Sequence, residues 1–245
     1  MTEIVIVTGA SRGIGAATAR LLGQRGYTVC VNYRAQRAEA EAVAQAVEAA
    51  GGQAITVQAD VADPADVARL FAEVDGRLGR LTALVNNAGI HGPRCRFEAL
   101  RREDLHQVLQ VNVLGLMNCT QEAVLRMSPR FGGNGGAIVN VSSGSAYLGN
   151  PGQGVHYAVS KGAVNSFTIG LSQELAGDGI RVNAVSPGLT RTDMPPADSL
   201  AERTRSIPSG RVGEPEEIAE AIAWLLSPQA GYVMGANIRV AGGRP

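Results

Sequence analysis

Apolar residues along this chain follow two alternating patterns: short unbroken runs, and longer stretches with helical spacing. Ile4-Val5-Ile6-Val7 has no polar residue within it, which suits a strand covered on both faces of a parallel sheet. The same reading predicts strands over 28–32, 54–58, 83–85, 137–141, 181–185 and 238–240. Helices are expected over 16–24, 35–50, 102–127, 157–176 and 214–226, with Asp63 placed to cap one more. Alternation from end to end, with no linker between, predicts one α/β domain over 1–245. Its architecture is a doubly wound parallel sheet of about seven strands, joined by right-handed crossovers with helices on both faces.

The first strand runs into Thr8-Gly9-Ala10-Ser11-Arg12-Gly13-Ile14-Gly15, then into an alanine-rich helix. Glycines in such a turn let the backbone approach a phosphate, and the helix N-terminus favours the anion. The spacing Gly-x3-Gly-x-Gly alone also fits a tight turn with no ligand; the flanking strand and helix favour a dinucleotide. An acid at the end of the second strand, about 20 residues further on, would bond a ribose 2′-hydroxyl and select NAD. This chain has Asn32 there, followed by Tyr33 and Arg34. Arg34, with Arg12 in the glycine turn, favours a 2′-phosphate, because a guanidinium can pair with it bidentately. The expected cofactor is NADP, with NAD as the alternative.

Charge narrows the partners. Twenty-two basic residues balance 22 acidic ones, so no net field draws nucleic acid or an anionic membrane surface. No run of eighteen apolar residues occurs, and MTEIVIV lacks a basic region and a cleavage site; a cytoplasmic protein is expected. Cys30, Cys95 and Cys119 have no metal-ligand spacing, and His91, His106 and His156 are scattered, so no metal site is expected.

Candidate chemistry lies near residue 157. Tyr157 and Lys161 are four apart on one helix face. A free phenol has a pKa of about 10, and a neighbouring ammonium favours the phenolate, which makes tyrosine a usable proton donor or acceptor. The fifth strand ends in Ser142-Ser143, at the edge where open α/β sheets bind ligands.

In these motifs the chain resembles the short-chain dehydrogenase/reductases over essentially its whole length. Thr8–Gly15 corresponds to the family's cofactor turn, Asp60-Val61 to its adenine-contacting pair, and Asn86-Asn87-Ala88-Gly89 to its strand-four motif. Asn112, Ser143, Tyr157 and Lys161 fall on its catalytic positions, with Ser142 as a neighbouring alternative to Ser143. Pro187-Gly188-Leu189-Thr190-Arg191-Thr192 matches the turn that borders the nicotinamide.

The resemblance implies a Rossmann-like fold and hydride transfer between a nicotinamide and a small-molecule carbonyl or alcohol. Tyr157 would be the general acid–base, Ser143 would hold the substrate oxygen, and Lys161 would lower the tyrosine pKa and hold the nicotinamide ribose. Asn112 would interrupt its helix with a bound water and extend a proton path. Cofactor contacts are implied for Gly9, Ser11, Arg12, Gly13, Ile14, Gly15, Asn32, Tyr33, Arg34, Asp60, Val61, Asn87, Ala88 and Gly89. They are also implied for Tyr157, Lys161, Pro187, Gly188, Thr190 and Thr192. A substrate lid is implied at about 189–211, carrying Pro195, Pro196 and Pro208. The apolar faces of helices 102–127 and 157–176 (Val108, Val111, Leu171, Leu175) fit a core, and the resemblance implies that they also pack against copies of themselves in a homodimer or homotetramer.

The stretch 144–156 departs from many relatives. The gap from Ser143 to Tyr157 is one residue longer than in 3-oxoacyl-carrier-protein reductases and resembles that of bacterial glucose dehydrogenases, as do Val31–Arg34 and Val155–Tyr157. A sugar or polyol dehydrogenase is therefore an alternative expectation. A non-catalytic NADP-binding regulator is another, against which the complete set Asn112, Ser143, Tyr157 and Lys161 argues.

Overall fold

The computed structural model describes residues 3–192, 194 and 204–244. Seven strands form one sheet: β1 Ile4–Val7, β2 Thr28–Tyr33, β3 Gln53–Gln58, β4 Ala83–Asn86, β5 Gly136–Val141, β6 Ile180–Pro187 and β7 Asn237–Val240. Their order is β3-β2-β1-β4-β5-β6-β7, and every pairing is parallel. Winding reverses between β1 and β4, the place where ligands bind in such sheets.

Eight α-helices accompany the strands among the described residues: α1 Gly13–Gln24, α2 Arg37–Ala49, α3 Pro64–Arg77, α4 Arg102–Leu109, α5 Leu116–Met127, α6 Ser145–Leu148, α7 Val155–Leu175 and α8 Pro215–Leu226. Strand alternation explains why both faces need cover. Val5, Val7, Val29 and Val31 pack under α1, α2 and α8, while Ile4, Ile6, Cys30 and Leu84 pack under α3 and α5. With both faces covered, the central strands β1 and β4 and their neighbour β2 are buried along their whole length, whereas the edge strands β3 and β7 are only partly buried.

Local signals account for the helix starts. Asp63 accepts the Ala65 amide at 2.8 Å, and Pro64 opens α3 at a position that needs no amide hydrogen. The helix expected over 102–127 is one continuous run with a wide π segment, Gln110–Gly115, between α4 and α5. Buried amides tie its second half to the sheet. Asn86 Nδ2 donates to Thr120 and to Asn140 at 2.9 Å each, and Asn140 Nδ2 donates to Thr168 of α7 at 3.0 Å. The short helix α6 has no counterpart in the sequence reading.

The apolar residues read both as core and as a face between copies turn inward. Val108, Val111 and Leu175 are buried, and Leu171 packs against the core. The large apolar side chains those helices expose are instead Leu114, Leu125, Val159 and Ile169. Among the described residues, no helix is long and apolar enough to cross a membrane, and no group of three metal-ligating side chains gathers. Burial pushes the Cys119 thiol up to about 12 and raises Cys30 as well.

Candidate active site

A cleft of about 990 Å³ runs along the carboxyl ends of the strands. Its floor is the turn between β1 and α1. Gly9 (φ +61°) and Gly13 (φ +56°) take the left-handed conformation that L side chains avoid. A Cβ on Gly15 would lie 2.5 Å from Asn87 Nδ2, so the turn presses against the loop after β4. The same Nδ2 donates to the carbonyls of Thr8 (2.9 Å) and Gly9 (3.0 Å), while Thr8 Oγ1 accepts the Asn87 and Ala88 amides. No side chain caps α1, and no acid stands in its first turn. Its exposed amides and dipole suit an anionic group such as a pyrophosphate.

At one end of the cleft lie Asn32, Arg34, Asp60 and Val61, with Ser11, Arg12, Gly13 and Ile14 beside them. Asn32 acts as a latch: Oδ1 accepts the Gly9 amide at 3.2 Å, and Nδ2 donates to the carbonyls of Val57 (3.3 Å) and Ala59 (3.1 Å). Arg34 stands 3.9 Å from Asp60 at an exposed position, where such a pair is weak. Tyr33 corrects the sequence expectation. Alternation along β2 turns its ring to the face under α2, where it joins the core and does not line the cleft. Gly15 does not line it either; its role there is close packing against Asn87.

Toward the other end, Ser143, Tyr157 and Lys161 meet at the wall. Lys161 Nζ sits 5.9 Å from the Tyr157 ring centroid and donates to the Val141 carbonyl at 2.7 Å. Burial pushes this ammonium down to about 8. Burial also raises the Tyr157 phenol above its ordinary value, while a hydrogen bond with Ser143 and the charge of Arg94 pull it partly back. The expected lowering by Lys161 is not among these influences. Ser142 also lines the cleft, and its Oγ is engaged elsewhere, 2.6 Å from Asn165 Oδ1 and 3.2 Å from the Lys161 carbonyl.

Asn112 lies behind the wall, inside the π segment. Its Nδ2 donates to the Ile90 carbonyl and to Ser160 Oγ at 2.9 Å each, and its Oδ1 accepts the Ile90 amide at 2.8 Å. Gly89 lines the cleft next to it: a Cβ there would lie 3.3 Å from Asn112 Oδ1 and 3.5 Å from Lys161 Nζ. Ala88, Pro187, Gly188, Thr190 and Thr192 complete the lining around the glycine turn, and a Cβ on Gly13 would meet Thr192 at 3.3 Å. Of the expected lid, Leu189, Ile207 and Val212 form a small apolar cluster of their own. Its residues 195–203, with Pro195 and Pro196, lie outside the described residues.

Three further side chains gather at this end. The His91 ring stacks on Tyr157 with centroids 4.6 Å apart, and buried His156 meets His91 edge-on at 6.5 Å. His156 Nε2 has no hydrogen-bond partner. Arg94 lines the cleft beside them. Nothing in the residue pattern after Gly89 marks His91 or Arg94, because that loop has no periodicity to read.

A family model described as enoyl-(acyl carrier protein) reductase matches residues 9–244. An Escherichia coli K12 protein described as the uncharacterized oxidoreductase YgfF is 49% identical over 98% of this chain and 99% of its own length. The 3-oxoacyl-[acyl-carrier-protein] reductase FabG of Staphylococcus aureus is 40% identical over 99% and 98%. A short-chain dehydrogenase/reductase of Serratia marcescens superposes with a TM-score of 0.92 at 37% identity, covering 98% of this chain and 97% of that one. A Sinorhizobium meliloti dehydrogenase/reductase gives 0.94 at 35% identity, with 99% and 95% covered. The parallel sheet, the glycine turn and these relatives agree: the chain belongs to the short-chain dehydrogenase/reductase family of NAD(P)-dependent oxidoreductases.

Proposed function

We propose that this chain is an NADP(H)-dependent oxidoreductase acting on a carbonyl or secondary alcohol, with Tyr157 as its general acid–base. One observation carries the reading: Ser143, Tyr157 and Lys161 stand together in the wall of the same cleft whose floor is the uncapped start of α1. The dinucleotide, when bound, supplies the hydride or accepts it. The α1 amides would hold its pyrophosphate, Arg12 and Arg34 its 2′-phosphate, and Asp60 with Val61 its adenine. Asn87, Ala88 and Gly89, with Pro187, Gly188, Thr190 and Thr192, would line the path toward the nicotinamide.

Tyr157 gives its phenolic proton to the substrate oxygen in reduction and takes it back in oxidation. Ser143 hydrogen-bonds that oxygen as charge develops on it. Lys161, beside the ring, would hold the nicotinamide ribose, while the Ser143 hydrogen bond and the charge of Arg94 favour the phenolate left behind. Asn112 fixes Ile90 and Ser160, and through them the loop and helix that frame the phenol. Substrate candidates include 3-oxoacyl thioesters, after the reductase relative, and sugars, after the longer 144–156 stretch. We further propose a cytoplasmic homodimer or homotetramer in which copies meet through Leu114, Leu125, Val159 and Ile169.

Nicotinamide absorbance tests the reading, with ketones, 3-oxoacyl thioesters, diketones and sugars offered to NADPH and NADH in parallel. Turnover that prefers NADPH and falls by about 10²–10⁴-fold in Tyr157→Phe supports it. Turnover retained in that variant overturns the role of Tyr157. NADPH binding without turnover of any compound favours the regulator.

A further inference from the structure

We propose that Arg94 selects an anionic substrate, a short oxo acid whose carboxylate pairs with this guanidinium while its carbonyl faces Tyr157 and Ser143. The proposal rests on the carbonyl-reductase reading above.

Arg94 is half-buried and lines the cleft, near enough to Tyr157 for its charge to act on the phenol. Its hydrogen bond, to the Met194 carbonyl, is a long 3.4 Å, and among the described residues no carboxylate forms an ion pair with it. Acids are nevertheless close in sequence. Arg96 pairs with Glu98, and Arg101 pairs with Asp104 at 3.1 Å, so acids within reach of this stretch are taken up by arginines outside the cleft. The acid that lines the cleft, Asp60, stands beside Arg34, at the other end. A partly desolvated guanidinium without a counter-ion is costly, and a substrate carboxylate would offset that cost with a bidentate, charge-assisted pair. In the reaction the carbonyl carbon gains hydride from the reduced nicotinamide and the oxygen gains the Tyr157 proton. The carboxylate passes through unchanged.

The test compares kcat/KM with NADPH for 3-oxobutanoate and 3-oxohexanoate against their methyl esters. The wild type, Arg94→Gln, Arg94→Lys and Arg244→Gln are measured, since Arg244 also lines the cleft. The expected wild-type preference for the acids is roughly ten- to a hundredfold, the range of a charged hydrogen bond. It should collapse toward one in Arg94→Gln through a higher KM, return in part in Arg94→Lys, and persist in Arg244→Gln. No wild-type preference, or a preference that survives in Arg94→Gln, overturns the proposal, as does its loss only in Arg244→Gln. If neither acid nor ester is reduced, calorimetric titration of the NADPH-loaded protein with 3-oxobutanoate decides. Binding lost in Arg94→Gln supports the anion subsite, and no binding refutes it. The Tyr157→Phe comparison judges the carbonyl-reductase reading separately.

Discussion

Lys161 Nζ donates to the Val141 carbonyl at 2.7 Å, so the end of β5 holds the ammonium that stands beside the Tyr157 ring. A main-chain dipole is a weaker partner than a carboxylate, and burial pushes this lysine down to about 8.

That depression links stability to pH with a definite sign. Unfolded, the lysine titrates near its ordinary value of about 10.4, so between about 8 and 10.4 the unfolded chain binds more protons and folding gains as pH rises. Below about 8 both states are protonated and the cost of burying the ammonium is present in full. The cofactor-free wild type should therefore gain stability relative to Lys161→Met as pH is raised from 8 to 10, read by urea denaturation of both proteins. A difference that stays flat over that range would show that the ammonium is well solvated.

Arg12 and Arg34 should govern cofactor choice. Replacing either with alanine is expected to raise KM for NADPH by about tenfold or more, since each removes charge-assisted hydrogen bonds to a 2′-phosphate. NADH, which lacks that phosphate, should change by less than about threefold. Parallel steady-state kinetics with the two cofactors would expose the opposite result at once.

Asn32→Asp should not simply convert the protein to NAD use. Asn32 Nδ2 donates to two carbonyls, of Val57 and Ala59, and a carboxylate would set a buried negative charge against both. The expected loss is at least about 2 kcal/mol, visible as a lower urea midpoint. Unchanged stability together with improved NADH use would refute the latch.

Two glycines separate packing from backbone strain. Gly26 (φ +87°) has open space where a Cβ would go, so Gly26→Ala should cost about 1–2 kcal/mol and leave NADPH affinity alone. In Gly15→Ala the new methyl would meet Asn87 Nδ2 at 2.5 Å and the Gly9 carbonyl at 2.6 Å. Its cost of about 1–3 kcal/mol should come with weakened NADPH binding, because the turn itself must move. Thermal melts and cofactor titration distinguish the two.

The central strands were legible because helices cover both faces of the sheet and leave unbroken apolar runs such as Ile4–Val7, while the edge strands β3 and β7 keep only short, mostly apolar stretches, Ala54–Val57 and Ile238–Val240. The glycine turn and the Tyr157–Lys161 pair were legible for a similar reason: each lies within a few residues on one regular element. Tyr33 was misplaced because a motif read along the chain ignores the two-residue alternation of β2, which buries it while Arg34 reaches the cleft. The stretch after Ser143 was opaque. Gly149, Asn150, Gly152 and Gly154 all take positive φ there, and such a path follows no hydrophobic period. Arg94 and His91 carry no local signal either, since what brings them beside Tyr157 is the folding of an irregular loop over a distant helix.

Seven strand ends border one cleft, from Gly9 after β1 to Ala241 after β7, and they come from the whole length of the chain. Pairing strands over such sequence distances slows folding. A ligand spanning those ends would then act as a clasp on the whole sheet. Its free concentration would raise the free energy of unfolding by RT ln(1 + [L]/Kd). Nicotinamide supply in the cell would become a control on the amount of this protein as well as on its rate.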